Sequence, residues 1–177
     1  QGQFVLACNP DLLFNRRLVQ FLAEGELASD HFYRARRYDI PANVDLGETP
    51  EQQLRTAAKN VFQVSVNGSQ FVNNTKRGWM NSYLERFRRD RYRPREIMSL
   101  VGEILGIGTS TSARKVEDPA DLFFTASGDF LMMSKESWKQ MRGFPEIDTN
   151  YHVDSLACLY AMANGLDQIT LKGDYRI

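Results

Sequence analysis

The feature that most constrains the fold is the opening stretch, where a short apolar segment leads directly into a polar turn and a helix pattern. Phe4 to Cys8 predicts a buried strand, Asn9-Pro10-Asp11 a turn, and Asn15 to Ala23 a helix. Ligands of open α/β sheets bind beyond the carboxyl ends of the strands. The sequence therefore predicts an α/β fold in which Asn9 and Asp11 lie at the ligand-binding edge.

The next part of the chain alternates strand and helix patterns. The predicted elements are a strand at His31 to Ala35, a helix from Pro50 to about Asn60 capped by Thr49, a hairpin from Phe62 to Val72 turning at Asn67-Gly68, and a helical stretch from Trp79 to about Gly106. A Gly/Ser/Thr loop is expected from Gly106 to Ser112.

The last third of the chain also alternates strand and helix patterns. The predicted elements are apolar runs at Leu122 to Phe124 and Phe130 to Met133, a helix capped by Ser134 and ending at Gly143, a helix from Asp154 to Asn164 with Leu156, Leu159, Tyr160 and Ala163 on one face, and strands at Ile169 to Leu171 and Tyr175 to Ile177. Because strand patterns lie at both ends, we expect the chain to be part of a longer domain.

The amino-acid composition limits the kinds of binding partner and the cellular compartment that we expect. The 177 residues suffice for one domain with a core, and the 22 basic and 22 acidic residues cancel, so we expect no nucleic-acid partner. No apolar run approaches the roughly 20 residues that cross a bilayer. Cys8 and Cys158 lack CxxC spacing, which predicts a reducing compartment and hence a cytoplasmic protein.

Three short segments carry candidate chemistry, and each has a plainer interpretation. Asn9 and Asp11 offer oxygen ligands to a divalent cation, or they form an Asx turn. Asp129, after Gly128, accepts hydrogen bonds from ligand hydroxyls, or it only stabilises a turn. Asp154 at a helix start serves as a general base, or it is a helix cap.

These segments, in this order, resemble GT-A-fold nucleotide-sugar glycosyltransferases of the inverting, family-2-like type. The resemblance rests on the runs Thr125 to Trp138, Arg142-Gly143-Phe144-Pro145-Glu146 and His152 to Cys158, which look like the acceptor-side half, and on Phe4 to Phe14, which resembles the strand and Asp-x-Asp turn. The chain departs from the pattern at Asn9 and Val153, which stand where that family usually has acidic residues.

The resemblance implies a fold, a reaction and a set of roles. It implies a partial GT-A (Rossmann-like) mixed sheet flanked by helices, and sugar transfer from a nucleotide-sugar donor to a hydroxyl of a glycan or lipid-linked acceptor. Asp11, with Asn9 as the weaker partner, would bind Mn²⁺ or Mg²⁺, and Asp154 would be the catalytic base. The residues that would line the donor or acceptor sugar are Gly128, Asp129, Glu146 and His152.

The likeness covers 4–39 and 122–171, and a helical and hairpin insertion is expected at about 45–118 of a single incomplete catalytic domain spanning 1–177. In similar bacterial sequences a His-containing motif completes the metal site after the last strand. That motif is expected about where Ile177 stands, and the nucleobase-stacking strand before Gln1. We therefore expect weak or no activity from this chain by itself.

An arginine cluster lies within the insertion. Arg86, Arg88, Arg89, Arg91, Arg93 and Arg95 fall within ten residues, interleaved with aromatic side chains. One interpretation is contact with a phosphate-bearing acceptor or with an anionic membrane surface, which would make the protein peripheral to a membrane. The other is a solvated helix face paired with Glu85, Asp90 and Glu96.

Two other functional classes remain open from the sequence. In a non-catalytic carbohydrate- or protein-binding α/β module, the same carboxylates would only hydrogen-bond hydroxyls or cap helices, and Asn9 and Val153 favour this class. A nucleotidyltransferase of similar sheet topology is less attractive, because such enzymes usually show a Gly-rich basic loop near their start.

Overall fold

The structure is a computed structural model. It describes residues 2–25, 27–40, 45, 47–66, 69–72, 112–115, 127–148, 152–175 and 177. Within these residues the fold is a mixed α/β arrangement, as the sequence predicts, with helices packed on a five-stranded sheet and a second sheet of three strands.

The main sheet is mixed, and its strand order is β1-β7-β2-β8-β6. Its strands are β1 (Phe4–Ala7), β2 (His31–Ala35), β6 (Ser112–Lys115), β7 (Leu131–Ser134) and β8 (Asp167–Lys172). β7 runs antiparallel to both β1 and β2, β2 and β8 are parallel, and β6 closes the described sheet antiparallel to β8. The ends of β1, β2 and β8 and the start of β7 therefore lie at one edge.

Four helices are described, and local sequence signals fix their starts. They are α1 (Arg16–Glu24), α2 (Pro50–Lys59), α3 (Lys135–Met141) and α4 (Val153–Ala163). The Asn15 side chain caps α1, and the Ser134 side chain caps α3. Thr49 and Gln52 form a reciprocal capping box at α2, which satisfies backbone amides that no helical carbonyl reaches.

Apolar side chains pack on both faces of the main sheet. On one face Leu18 of α1 packs with Tyr33 and Met132, and on the other Phe32 and Met133 contact residues of α3 and α4. Adjacent residues of β7 face opposite clusters, which is the period of two expected of a strand covered on both sides. The main sheet therefore lies between α1 on one face and α3 and α4 on the other.

The second sheet, in the order β3-β4-β5, lies beyond the end of β2. Its strands are β3 (Tyr38–Asp39), β4 (Gln63–Val66) and β5 (Ser69–Val72). β4 and β5 form the predicted hairpin, with Val66 opposite Ser69. The backbone N–H of Phe62 donates to the carbonyl of Asp39 at 3.0 Å and so extends the pairing of β3 with β4. This pairing brings α2 close to the end of β2.

Two sequence predictions are wrong at the sheet. β1 was expected to be buried, but Val5 is 43% exposed, because β1 pairs with β7 alone in the described part of the chain. In the last predicted strand, Tyr175 to Ile177, Tyr175 is instead the end of a 3₁₀ turn (Gly173–Tyr175), and Ile177 is not in a strand. Ile177 then bonds through its backbone N–H to the carbonyl of Arg36 and through its carbonyl to the N–H of Tyr38.

The face of α4 that enters the core also differs from the expectation. Leu156, Leu159 and Tyr160 are exposed, and the buried residues are Ala157, Cys158 and Ala161. The small side chains let the helix approach the sheet closely, so the larger ones are directed outward.

Several predicted features lie wholly or partly outside the described residues. They are the helical stretch from 79 to 106, the arginine cluster from 86 to 95, the turn at 67–68, the apolar run at 122–124 and most of the loop from 106 to 112. Ser112–Lys115, in the stretch interpreted as an insertion, is the strand β6 of the main sheet. Among the described helices, none has the length and apolar character to cross a membrane.

Candidate functional site

The polar residues gather where the strand ends meet. Asn9 follows β1, Arg37 follows β2, and Asp129 closes a 3₁₀ turn (Ser127–Asp129) just before β7. Because β7 is antiparallel to β1 and β2, its start lies beside their ends. Side chains separated by about a hundred residues in the chain thus come into direct contact.

Asp129 is the centre of this cluster, and it is only 5% exposed. Its Oδ1 accepts a hydrogen bond from Nδ2 of Asn9 at 2.8 Å, and its Oδ2 accepts one from Nη1 of Arg37 at 2.7 Å. Both carboxylate oxygens are therefore engaged, and the buried charge is compensated by a cation and an amide dipole.

Arg37 joins two carboxylates. Besides Asp129, it forms an ion pair with Asp39, in which Nε lies 2.8 Å from Oδ1. Burial opposes the charge of the guanidinium, but the attraction of Asp129 and Asp39 outweighs it and raises the pKa of Arg37 above its ordinary value. Arg37 is thus a fixed cation, held from both sides.

A second arginine lies directly beneath the cluster. Arg34 is fully buried in β2, and its Nη1 donates to the backbone carbonyl of Phe130. Burial lowers the pKa of Arg34, while Cys158, Asp129 and Asp154 act in the opposite direction. An arginine keeps its proton in proteins, so Arg34 is a buried positive charge that attracts both carboxylates.

Asp154 reaches the same turn from α4. Its Oδ2 accepts the backbone N–H of Gly128 at 2.7 Å. The interpretation of Asp154 as a helix cap is wrong: the helix starts at Val153, and the N-cap is His152, which makes no side-chain cap bond. Asp154 sits in the first turn, where the helix dipole favours a negative charge.

Gly128 was expected to allow a close approach of its backbone, and Asp154 makes that approach. A Cβ added at Gly128 would lie 3.5 Å from Oδ2 of Asp154, which is an ordinary van der Waals distance. The contact therefore depends on the backbone N–H of residue 128 rather than on the absence of a side chain.

A pocket of about 230 Å³ opens beside the cluster. Polar and apolar residues line it, namely Asp11, Leu12, Leu13, Asn15, Arg37, Tyr38, Asp39, Ile40, Leu54, Ala57, Ala58, Val61, Asp129 and Ile177. The structure thus brings Asp11 to the same pocket as Asp129, and Asn9 contacts that pocket's wall through Asp129.

The remaining predicted site residues lie elsewhere. Asp154, Glu146 and His152 are not among the described residues that line the pocket. Glu146 is exposed on the loop after α3, and His152 is exposed with a left-handed backbone at φ 63°. Asp154 is separated from the pocket by the Gly128-Asp129 turn.

Three residues of the site were not anticipated, namely Arg34, Arg37 and Asp39. One signal was present: Arg34 interrupts a predicted aromatic strand, and a charged residue within a core strand calls for a buried partner. Arg37 and Asp39 carried no such signal, because charged residues after a strand are common at surfaces.

The donor atoms are suited to a hard cation. In the described part of the chain, no group of three or more His, Cys, Asp or Glu residues is placed to hold a metal ion. Mg²⁺, however, is usually bound by one or two carboxylates together with substrate phosphates. Asp11 supplies one carboxylate to the pocket, and Nδ2 of Asn9 is used by Asp129, so the amide oxygen of Asn9 is the second candidate donor.

Comparisons of the chain with protein-family models, with curated proteins and with solved structures found no match. The physical case for a function therefore rests on the described site.

Proposed function

We propose that this chain is the core of a GT-A-type glycosyltransferase, which transfers a sugar from a nucleotide-sugar donor to a hydroxyl of a glycan or lipid-linked acceptor. The observation that carries the proposal is the convergence of Asn9, Asp11 and Asp129 at the carboxyl edge of the sheet, beside a pocket. This edge is where open α/β sheets bind nucleotides and their conjugates.

On the donor side, Asp11 and the amide oxygen of Asn9 are the residues that would hold Mn²⁺ or Mg²⁺. The cation supplies positive charge that offsets the negative charge developing on the leaving nucleotide. Asp129 fixes the Asn9 side chain through its 2.8 Å hydrogen bond. Because Asp129 is only 5% exposed and both of its oxygens are engaged, we assign it to positioning rather than to direct sugar binding.

On the acceptor side, Asp154 takes the proton of the attacking hydroxyl. Its Oδ2 is held by the N–H of Gly128, which leaves Oδ1 to accept that proton. The hydroxyl oxygen forms a bond to the anomeric carbon as the bond to the nucleotide phosphate breaks, so the configuration inverts. His152, which directly precedes helix α4, and Glu146, on the loop after α3, are both exposed and are assigned to the acceptor.

The competing function is a non-catalytic carbohydrate-binding module. The observation that favours it is that Asp129 and Asp154 both make hydrogen bonds within the fold, which a purely structural role also explains.

Titration of Mn²⁺ together with uridine, guanosine and adenosine diphosphates tests the proposal, with heat of binding as the readout. We expect one nucleotide to bind only when the cation is present, and Asp11→Asn to weaken that binding strongly, because a neutral amide oxygen is a weaker ligand than a carboxylate. Asp148→Asn, which removes an exposed carboxylate on another loop, is the matched control. Absence of cation-dependent nucleotide binding by the unaltered chain would contradict the proposal.

A further inference from the structure

The pocket is lined by chemically different residues. Helix α2 contributes the apolar residues Leu54, Ala57 and Ala58, and Asp39 and Arg37 are among the polar residues of the lining. Apolar residues of this kind pack against carbon-bound hydrogens, and the polar residues satisfy hydroxyl groups. Few common metabolite groups combine one apolar face with a rim of hydroxyls.

The charges of the pocket disfavour an anion. Among its described lining residues, Asp11, Asp39 and Asp129 each carry a negative charge and Arg37 carries the one positive charge, which gives a formal net charge of −2. Arg37 is already paired with Asp39 and Asp129, so it adds no uncompensated positive field. A phosphate placed here without a cation would be repelled.

The volume sets the size of the ligand. About 230 Å³ is smaller than the roughly 300–1,000 Å³ typical of pockets for drug-sized molecules. A single six-membered ring with its substituents is of suitable size, and a whole nucleotide sugar is too large.

We propose that this pocket binds the pyranose ring of one neutral hexose. Asp39 and Asp11 accept hydrogen bonds from its hydroxyls, Arg37 donates to a hydroxyl oxygen, and the apolar residues of α2 pack on the apolar face of the ring. The inference deepens the proposed function, on which it rests, by naming the part of the substrate that the pocket holds.

Arg37 is the residue that sets specificity in this arrangement. Its guanidinium is fixed by Asp129 at 2.7 Å and by Asp39 at 2.8 Å, so its donors keep one direction before the ligand arrives. A fixed donor between two carboxylates loses little conformational entropy on binding, and it distinguishes hydroxyl orientations on the ring.

Saturation-transfer NMR on the full chain, without metal or nucleotide, tests the pocket directly. The probes are the methyl α-glycosides of glucose, galactose and mannose, with uridine and inorganic phosphate as the contrasting ligands. We expect one hexoside to bind with a dissociation constant on the order of 1 mM, and phosphate not to bind. Binding of phosphate or uridine but of no hexoside would overturn the proposal.

Substitutions inside and outside the pocket test where the hexoside binds. We expect Asp39→Asn to weaken hexoside binding by about ten-fold or more, because the charge that strengthens its hydrogen bond to a hydroxyl and holds Arg37 is removed, and Leu54→Ala to weaken it several-fold. Glu51→Gln, which removes an exposed carboxylate from the same helix outside the pocket, should leave it unchanged. Equal affinity in Asp39→Asn, Leu54→Ala and Glu51→Gln would place the sugar elsewhere and overturn the proposal.

Different results contradict the proposal of sugar transfer and the proposal that the pocket binds a hexose. Nucleotide binding that depends on a cation, with no hexoside binding, contradicts the pocket assignment alone. Hexoside binding without any nucleotide binding supports the pocket and contradicts sugar transfer. Displacement of the hexoside by an intact nucleotide sugar identifies the donor ring, and simultaneous binding identifies the acceptor ring, both of which support occupation by a pyranose.

Discussion

Oδ2 of Asp154 accepts a hydrogen bond from the backbone N–H of Gly128 at 2.7 Å, although the two residues are 26 positions apart in the sequence. This bond connects the first turn of α4 to the turn that carries Asp129. The side chain that we assign to proton transfer is therefore also part of the fold. An informative substitution has to separate these two roles.

Asp154→Asn separates them, because the amide oxygen of asparagine still accepts the N–H of Gly128 but is no longer a base. Under conditions in which the unaltered protein shows measurable sugar transfer, we expect the rate to fall about 100-fold or more, as is typical for loss of a general base, with little change in the melting temperature. Asp154→Ala should lose activity and also about 1 kcal/mol of stability. Turnover of Asp154→Asn equal to that of the unaltered chain would remove Asp154 as the base.

The ion pair between Arg37 and Asp129 should contribute measurably to stability. Its side chains are 26% and 7% exposed, whereas those of Lys115 and Asp167, a surface ion pair in the same protein, are 51% and 44% exposed. Double-mutant cycles to alanine, read by urea denaturation, should give a coupling of about 1–3 kcal/mol for the first pair and about 0–1 kcal/mol for the second. Equal couplings would show that Arg37 is not fixed in the way the site requires.

Arg34 should be the arginine whose loss harms the fold most. It is fully buried beside Asp129 and Asp154, so Arg34→Met removes the compensating charge and the bond to the Phe130 carbonyl. We expect a loss of about 3 kcal/mol or more. Arg16→Met, on the exposed side of α1, should change stability by less than about 0.5 kcal/mol. Similar effects in the two variants would contradict the buried placement of Arg34.

Alkaline pH should destabilise the protein through Tyr33. Burial raises the pKa of this phenol above its ordinary value of 10.0, while the hydrogen bond from the Ala28 backbone acts in the opposite direction. The folded state therefore retains the proton more tightly than the unfolded state. The stability contribution is complete below pH 10 and is lost as the pH rises from there through the folded pKa.

The measurement is urea denaturation at pH 8 to 11, with tyrosinate absorbance followed in parallel. Tyr33→Phe has no phenol to ionise at this position, so its stability should decline less steeply above pH 10. Parallel declines in Tyr33→Phe and the unaltered chain would show that Tyr33 is not the group responsible.

Sequence reasoning succeeded where local rules determine the structure. The predicted capping residues Thr49 and Ser134 gave the starts of α2 and α3, because a cap satisfies backbone amides within its own turn. Two candidate segments, those of Asn9 with Asp11 and of Gly128 with Asp129, also came together at the sheet edge, whereas Asp154 contacts only the backbone of Gly128. The contact between Asn9 and Asp129, which spans 120 residues, depends on β7 lying between β1 and β2, and nothing local in the sequence encodes that order.

The buried face of α4 shows why hydrophobicity alone misplaced part of the core. Counting large apolar side chains favours Leu156, Leu159 and Tyr160 as the inner face. The helix instead turns small residues such as Ala161 toward the sheet, where close approach matters more than side-chain area.

This burial of small side chains on α4 predicts that replacing a large exposed apolar residue costs less stability than enlarging a small buried one. Leu159 is 45% exposed, so Leu159→Gln should change stability by less than about 0.5 kcal/mol. Ala161 is fully buried against the sheet, so Ala161→Leu adds a larger apolar side chain yet should cost about 1–3 kcal/mol through overpacking. Chemical denaturation of the two variants tests this. If Leu159→Gln were the more damaging change, the helix would have to present its larger side chains to the core.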